Sequence, residues 1–402
     1  MIQPAKASAD FWVAKASMPS ANAGGGAVAM NGEIYVIGTN FTYAYNSSAD
    51  TWVSKTPLPS HRQSFAVAAY QDKIYVFGGC SGFNEITGYP INCTGANEEY
   101  NPATDSWKTK APMPTARAEL QANVVNGEIY LIGGTLPDGS VSNVTEVYDP
   151  SNDSWSVAAP IPTAVGLYAS AVVGNKIYVE GGGQSGPVIG DLNQVFDPEL
   201  NVWALGSPLP VPVLWAAAGA TDGVLAPTRL YVIGGTTDGI NPLNTTYIYD
   251  PQANIWTTGA LMPIARGTLS LAVVNDTLYA LGGAENLVDP HAPAIAVNEQ
   301  YFPLGYGEPT PSPSAPSPSV REFPTWTALL ALLVITALVS AAFKRKINHN
   351  LGDLVACRKT NKKEAMVGGL FFSTGSRLFC KKVSATEDVQ NAQANGIELF
   401  LE

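Results

Sequence analysis

The sequence predicts an all-β repeat protein followed by one apolar helix near its C-terminus. Three observations carry that expectation. A pattern of apolar strand, paired glycines, Tyr and Trp recurs six times between residues 11 and 303. The composition, 38 Gly and 30 Pro in 402 residues, suits many short strands joined by tight turns. Finally, 19 consecutive residues, 325–343, carry no charge.

The repeat unit runs from Pro-x-Pro through an apolar strand, a second strand of the form Ile-Tyr-Val ending in Gly-Gly, a variable loop, a strand closing on Tyr-Asp-Pro, and Asp-x-Trp. Its glycines begin at Gly38, Gly78, Gly133, Gly181, Gly234 and Gly282, spaced 40, 55, 48, 53 and 48 residues apart. Trp12, Trp52, Trp107, Trp155, Trp203 and Trp256 keep step with them. Small twisted sheets of this kind cannot bury both faces alone, so they must pack against one another. Paired glycines let the backbone turn where a Cβ would clash. Tyr and Trp, large and apolar with one polar edge, suit the space between sheets. Pro150 and Pro251 end their strands because proline cannot continue a ladder. The first copy departs with Gly38-Thr39, the fourth with Phe196 in place of Tyr, and the fifth carries an extra Trp215, expected within its inner strand.

These motifs resemble the kelch repeat, a unit of about 50 residues forming one four-stranded propeller blade. The resemblance covers roughly residues 11–303 and implies a six-bladed β-propeller like the central domain of galactose oxidase, occupying residues 8–304. The last copy lacks a Trp strand, whereas the chain begins with an orphan one, Asp10-Phe11-Trp12-Val13. The N-terminal strand is therefore expected to complete the last blade and close the ring.

Residues 325–343 are long enough, at ~1.5 Å per residue, to cross a ~30 Å hydrocarbon core. Trp326 at one end and Lys344-Arg345-Lys346 at the other read as an interfacial anchor and a stop-transfer cluster, which predicts a cytoplasmic tail, 344–402, and an external main body. Residues 305–324 include five prolines between Glu308 and Ser319 and read as an extended stalk. Stalk, span and basic end resemble the C-terminal anchors of archaeal surface proteins. Residues 1–7, with Ala5-Lys6-Ala7 in the form of a cleavage site, read as the remnant of a signal peptide. Sequons at Asn40, Asn46, Asn92, Asn143, Asn152, Asn244 and Asn275 all precede the span, and Cys80 and Cys93 are close enough in sequence to staple one loop. The tail shows no periodicity beyond short apolar groups at 371–372 and 397–401.

The net charge of −11 divides into −15 over residues 1–324 and +4 over 325–402. So acidic a body repels phosphate backbones, which argues against nucleic acid as a partner. No phosphate loop, nucleophile elbow or paired metal motif is present, and no cofactor is expected. A galactose-oxidase-type copper site needs two His and a Cys–Tyr pair; the body offers only His61 and His291, and its two cysteines share one loop. The Asp-x-Trp groups lack the glycine of sialidase Asp boxes and read as turns.

In kelch proteins the residues after Pro-x-Pro lie at the mouth of the central funnel. The resemblance therefore implies a ligand site at Arg62, Arg117 and Arg266, with His61, Glu119, Tyr168 and Trp215 beside them. Such a set could hold a carboxylate or a sugar through forked hydrogen bonds and stacking. The competing expectation is that each Arg satisfies local carbonyls or an Asp of the adjacent blade. The functional expectation is a surface module binding a protein or a glycan. The alternatives are an exported kelch-type sugar-acid epimerase or mutarotase using the funnel arginines, and a structural envelope component.

Overall fold

The computed structural model describes residues 9–83, 90–184, 188–287 and 293–307, together with three strands between 354 and 400. β1 (Phe11–Ala14) opens the chain. Blade one is β2 (Gly26–Met30), β3 (Glu33–Ile37), β4 (Thr42–Asn46) and β5 (Thr51–Lys55). Blade two is β6 (Ala66–Tyr70), β7 (Lys73–Phe77), β10 (Asn97–Asn101) and β11 (Ser106–Thr109), with a hairpin of β8 (Cys80–Phe83) and β9 (Pro90–Cys93) in its central loop. Blade three is β12 (Gln121–Val125), β13 (Glu128–Ile132), β14 (Thr145–Asp149) and β15 (Ser154–Ala158). Blade four is β16 (Ala169–Val173), β17 (Lys176–Glu180), β18 (Asn193–Asp197) and β19 (Val202–Leu205). Blade five is β20 (Ala217–Ala220), β21 (Leu230–Ile233), β22 (Thr246–Asp250) and β23 (Ile255–Thr258). Blade six is β24 (Ser270–Val274), β25 (Thr277–Leu281) and β26 (Asn298–Phe302), completed by β1.

Every blade is an antiparallel four-stranded sheet. The expected closure is present: Phe11 pairs with Phe302, Trp12 with Tyr301, Val13 with Gln300 and Ala14 with Glu299. Inner strands touch around the whole circle, β2 to β6, β12, β16, β20, β24 and back to β2. The second strand of each blade is buried on both faces (β3, β7 and β13 from their second residue onward), whereas β16 and β24 on the axis alternate. Outer strands such as β11 and β19 are exposed except at the Trp. The continuous apolar runs thus mark the middle of each blade more than its inner edge.

The conserved-looking repeat residues clamp one blade to the next. Each Trp indole donates to the carbonyl of the link leading into its blade: Trp52 to Ala16 (2.8 Å), Trp155 to Ala111 (2.9 Å), Trp256 to Ser207 (2.8 Å). The residue two positions earlier accepts the N–H of that same link residue, as Asp50 does from Ala16 and Asp153 from Ala111. These caps adopt left-handed backbone (Asp50, Asp105, Asp153, Asn201, Asn254), a region Asp and Asn tolerate. A buried Tyr donates to the same carboxylate, Tyr45 to Asp50 at 2.6 Å. This bond contributes most to holding Asp50 below the usual carboxylate pKa, while burial pushes the Tyr45 phenol well up. At the closure the set is identical: Trp12 donates to Ala260 O, and Asp10 accepts from Ala260 N and from Tyr301. The first strand therefore carries the same bonds as any other outer strand.

The paired glycines sit where the next blade's link crosses. Gly133 and Gly134 have φ of 57° and 93°, and a Cβ on Gly134 would lie 2.8 Å from Ala118 O. Gly134 N instead donates to Val165 O of the following link.

β4 and its counterparts run away from the funnel mouth, so β26 ends on the opposite face. There Gly307 N bonds Leu225 O in the turn between β20 and β21, and the domain continues slightly past its expected end at residue 304. The tail forms a separate unit, in which β27 (Leu354–Thr360) pairs with β28 (Arg377–Val383) and β29 (Glu398–Phe400). Among the described residues no helix is long and apolar enough to cross a membrane. Residues 1–7, most of the stalk (308–324), the apolar run 325–343 and Phe371–Phe372 lie outside the described residues.

Candidate functional site at the funnel mouth

The links between blades and the loops between second and third strands share one face. Three arginines enter it and none stays at the surface. Arg62 is 2% exposed, Arg117 and Arg266 are 0%. Each pairs with a Glu on the third strand of its own blade: Arg62 with Glu98, Arg117 with Glu146 at 2.5 Å and Arg266 with Glu299 at 2.6 Å. Each also donates to backbone carbonyls, Arg62 to Gly78 and Val76, Arg117 to Thr115 and Leu131, Arg266 to Ile264 and Ala280. Burial draws the Arg62 and Arg266 guanidiniums below their ordinary pKa, and their Glu partners oppose that shift.

These arginines are staples, which corrects the expectation that they hold a ligand. The competing expectation was right about the carbonyls, but the acid is a Glu of the same blade. The chain itself supports the pairing. Where the Arg position holds Asn22, Val165 or Val213, the matching third-strand position holds Tyr43, Gln194 or Tyr247 instead of Glu. Removing one charge from a buried pair without the other is costly, so the two vary together.

Two residues beyond each staple the chain reaches the axis. There Gly24, Ser64, Glu119, Leu167, Trp215 and Thr268 form a closed circle of backbone hydrogen bonds. Ser64 N donates to Gly24 O (2.7 Å), Glu119 N to Ser64 O (2.8 Å), Leu167 N to Glu119 O (3.0 Å), Trp215 N to Leu167 O (3.0 Å), Thr268 N to Trp215 O (2.9 Å) and Gly24 N to Thr268 O (3.4 Å). All six residues are left-handed, with φ between 54° and 69°. Five of the six carry a side chain, so strain is accepted at every non-glycine position of the circle, as is common where a fold positions a site.

Of the residues expected at the mouth, Glu119 and Trp215 belong to this circle. Trp215 precedes β20 and is not within it. His61 is exposed next to Arg62. Tyr168 is 1% exposed; its hydroxyl donates to Ile132 O and accepts from Gln121 N, so it is structural. Ser64, Leu167, Thr268 and Gly24 were missed, although a signal existed: each lies two residues after the staple position.

Glu119 accepts a hydrogen bond from Thr135 Oγ1 at 2.7 Å. Desolvation raises its pKa, only partly opposed by that bond. A second carboxyl, Glu180, ends β17 with no exposure and, among the described residues, no hydrogen-bond partner for either oxygen. Burial raises its pKa well above the ordinary value. Cys80 and Cys93 are free thiols directly opposite each other across the β8–β9 hairpin, and burial pushes the Cys80 thiol up to about 12. Among the described residues no cluster could hold a metal ion; His291 lies outside them. Asn40, Asn46, Asn92, Asn143, Asn152 and Asn275 are exposed, and Asn244 is half-buried.

Six four-stranded blades with these glycines, clamps and staples match known sequence patterns. A profile for the KLHDC2/KLHL20/DRC7 Kelch-repeats domain matches residues 93–283, and one for the Kelch motif matches residues 61–114. The chain carries a six-bladed kelch-repeat β-propeller. This kelch propeller is similar to Kelch-like protein 26 of Danio rerio, with 28% identity over 204 residues, 51% of this chain and 25% of that protein. It is also similar to Influenza virus NS1A-binding protein of Homo sapiens, 40% identical over 62 residues, 13% of this chain and 10% of that protein. The chain thus spans a quarter or less of these relatives. The solved structure of YjhT superposes with a TM-score of 0.60 at 19% identity, covering 70% of this chain and 95% of that one, a likeness of fold alone. Neither the galactose-oxidase subtype nor an archaeal anchor is among these likenesses.

Proposed function

We propose that the propeller is a binding module whose mouth takes a protein or glycan ligand, held at the cell surface by residues 325–343 with the propeller outside and the tail inside. One observation carries the binding reading. The circle at the axis presents side chains that the blade network does not use. The six repeat tryptophans all donate to a link carbonyl, whereas the indole of Trp215 has no hydrogen bond and no aromatic partner among the described residues. An amphipathic ring left free and half-buried at the axis favours recognition. The similarity to Influenza virus NS1A-binding protein, named for a protein partner, adds weight to a protein ligand.

The chain leaves the propeller on the face opposite the mouth. The surface positions of the sequons agree with an external body. Outside the cell, Cys80 and Cys93 are proposed to oxidise: they face each other in a non-hydrogen-bonded pair, flanked by the Thr94 N–Gly79 O bond, where Cα atoms come within disulfide reach. Alkylation of the exported protein followed by peptide mapping checks this; Cys80 and Cys93 both alkylated without reductant would refute it.

The test of function screens the full-length chain against arrayed glycans and surface proteins of its own cell. A specific ligand should lose binding on Trp215→Ala and keep it on Gln71→Ala, on the opposite face. The reverse pattern, or no ligand in the screen, would reject the mouth as the site.

A further inference from the structure

The arginines at the mouth suggested an acidic ligand. With their charge consumed inside the blades, the sign of the free charge reverses. What remains around the axis is Glu119 in the circle, with Asp138, Asp191, Asp238 and Glu285 on the loops of the same face. None of these five is in an ion pair among the described residues. The nearby cations are committed to other acids, and only Arg266 also feels the charge of one of the five, Glu285. Arg62, Arg117 and Arg266 each face a Glu of their own blade. Lys15 and Lys110, beyond the outer strands, pair with Asp50 and with Glu99 and Asp153.

Glu119 is the centre of this pattern. It is half-buried, its only side-chain hydrogen bond among the described residues comes from a neutral hydroxyl, and it shares the circle with the indole of Trp215, which has no partner among them. The Thr268 hydroxyl, across the circle from Glu119, is buried and also lacks a hydrogen-bond partner. A half-buried carboxylate and an aromatic face in one circle are the groups that receive an ammonium or guanidinium. The rim carboxylates would add long-range attraction that speeds encounter.

We infer that the funnel mouth accepts a cationic side chain, Lys or Arg, of a protein partner, with Glu119 as its counter-charge and Trp215 as its stacking surface. The inference rests on the reading of the mouth as a binding site and specifies the ligand's charge. Desolvation of Glu119 agrees with it, because an incoming cation restores the stabilisation that water no longer supplies.

The experiment uses the full-length chain and three sets of short fluorescent peptides of matched length: lysine/arginine-containing, aspartate/glutamate-containing and uncharged. Anisotropy at low ionic strength should show the basic set binding best. Glu119→Gln should weaken that binding about tenfold or more, the scale of a charge-assisted bond. Glu119→Arg should abolish it and favour the acidic set. Neither substitution touches a clamp or a staple, and equal melting temperatures with the parent chain confirm that each folds. Preference for acidic peptides, binding unchanged by Glu119→Arg, or no binding of any set overturns the assignment. The two readings fail separately. If the wider screen yields a ligand sensitive to Trp215→Ala but indifferent to Glu119→Arg, the binding site stands and only the charge is wrong.

Discussion

Glu180→Ile is the sharpest test of the packing described here. Glu180 ends β17, where the other blades have Ile37, Phe77, Ile132, Ile233 and Leu281, and it points to the interface of blades four and five beside Tyr178 and Tyr249. Among the described residues neither oxygen has a hydrogen-bond partner. Burying a neutral carboxyl in this way costs about 1–3 kcal/mol. A second cost depends on pH. The folded pKa is raised, so above the ordinary carboxyl value the unfolded chain has lost a proton that the folded chain keeps. The contribution of Glu180 to stability is then most favourable at low pH and falls by about 1.4 kcal/mol per pH unit until the folded group ionises too. Glu180→Ile removes both costs, and Glu180→Gln removes only the second. Urea unfolding followed by tryptophan fluorescence, from about pH 5 to about pH 8, should show the stabilisation by Ile growing with pH. A destabilised Glu180→Ile, or parent and variant curves parallel in pH, would refute the reasoning.

Two further outcomes follow from the staples and the closure. Arg117→Met strands Glu146 without a cation and should cost about 3–5 kcal/mol, whereas Arg117→Val with Glu146→Gln copies blade four, where Val165 and Gln194 stand, and should recover most of it; equal melting temperatures for the single and double variants would contradict the pairing. Deleting residues 1–16 removes β1 with Asp10 and Trp12 and exposes β26, so it should lower the melting temperature far more than deleting 345–402; equal losses would exclude a ring closed by its first strand.

Local pattern was enough to place the blades. Asp10 and Trp12 announce an outer strand because the clamp they make is the same in every copy, and that sameness reveals the closure from the chain's two ends. Trp215 reads in sequence as part of an inner strand, whereas its left-handed backbone puts it in the axial circle. The Arg–Glu staples were half visible: Arg117 and Glu146 lie 29 residues apart, and only the alignment of all six copies shows that Arg and Glu come and go together.

The sequence by itself determined the number of blades, their order and their closure, because each depends on short-range chemistry repeated at a fixed place in the unit. The tertiary structure alone decided which charged groups reach water. An Arg next to a Pro-x-Pro motif reads the same in sequence whether it faces a funnel or a carboxylate. Its destination is set by a strand some thirty residues on, by the depth of burial, and by the circle of backbone bonds that turns Glu119 and Trp215, and not Arg117, toward the axis.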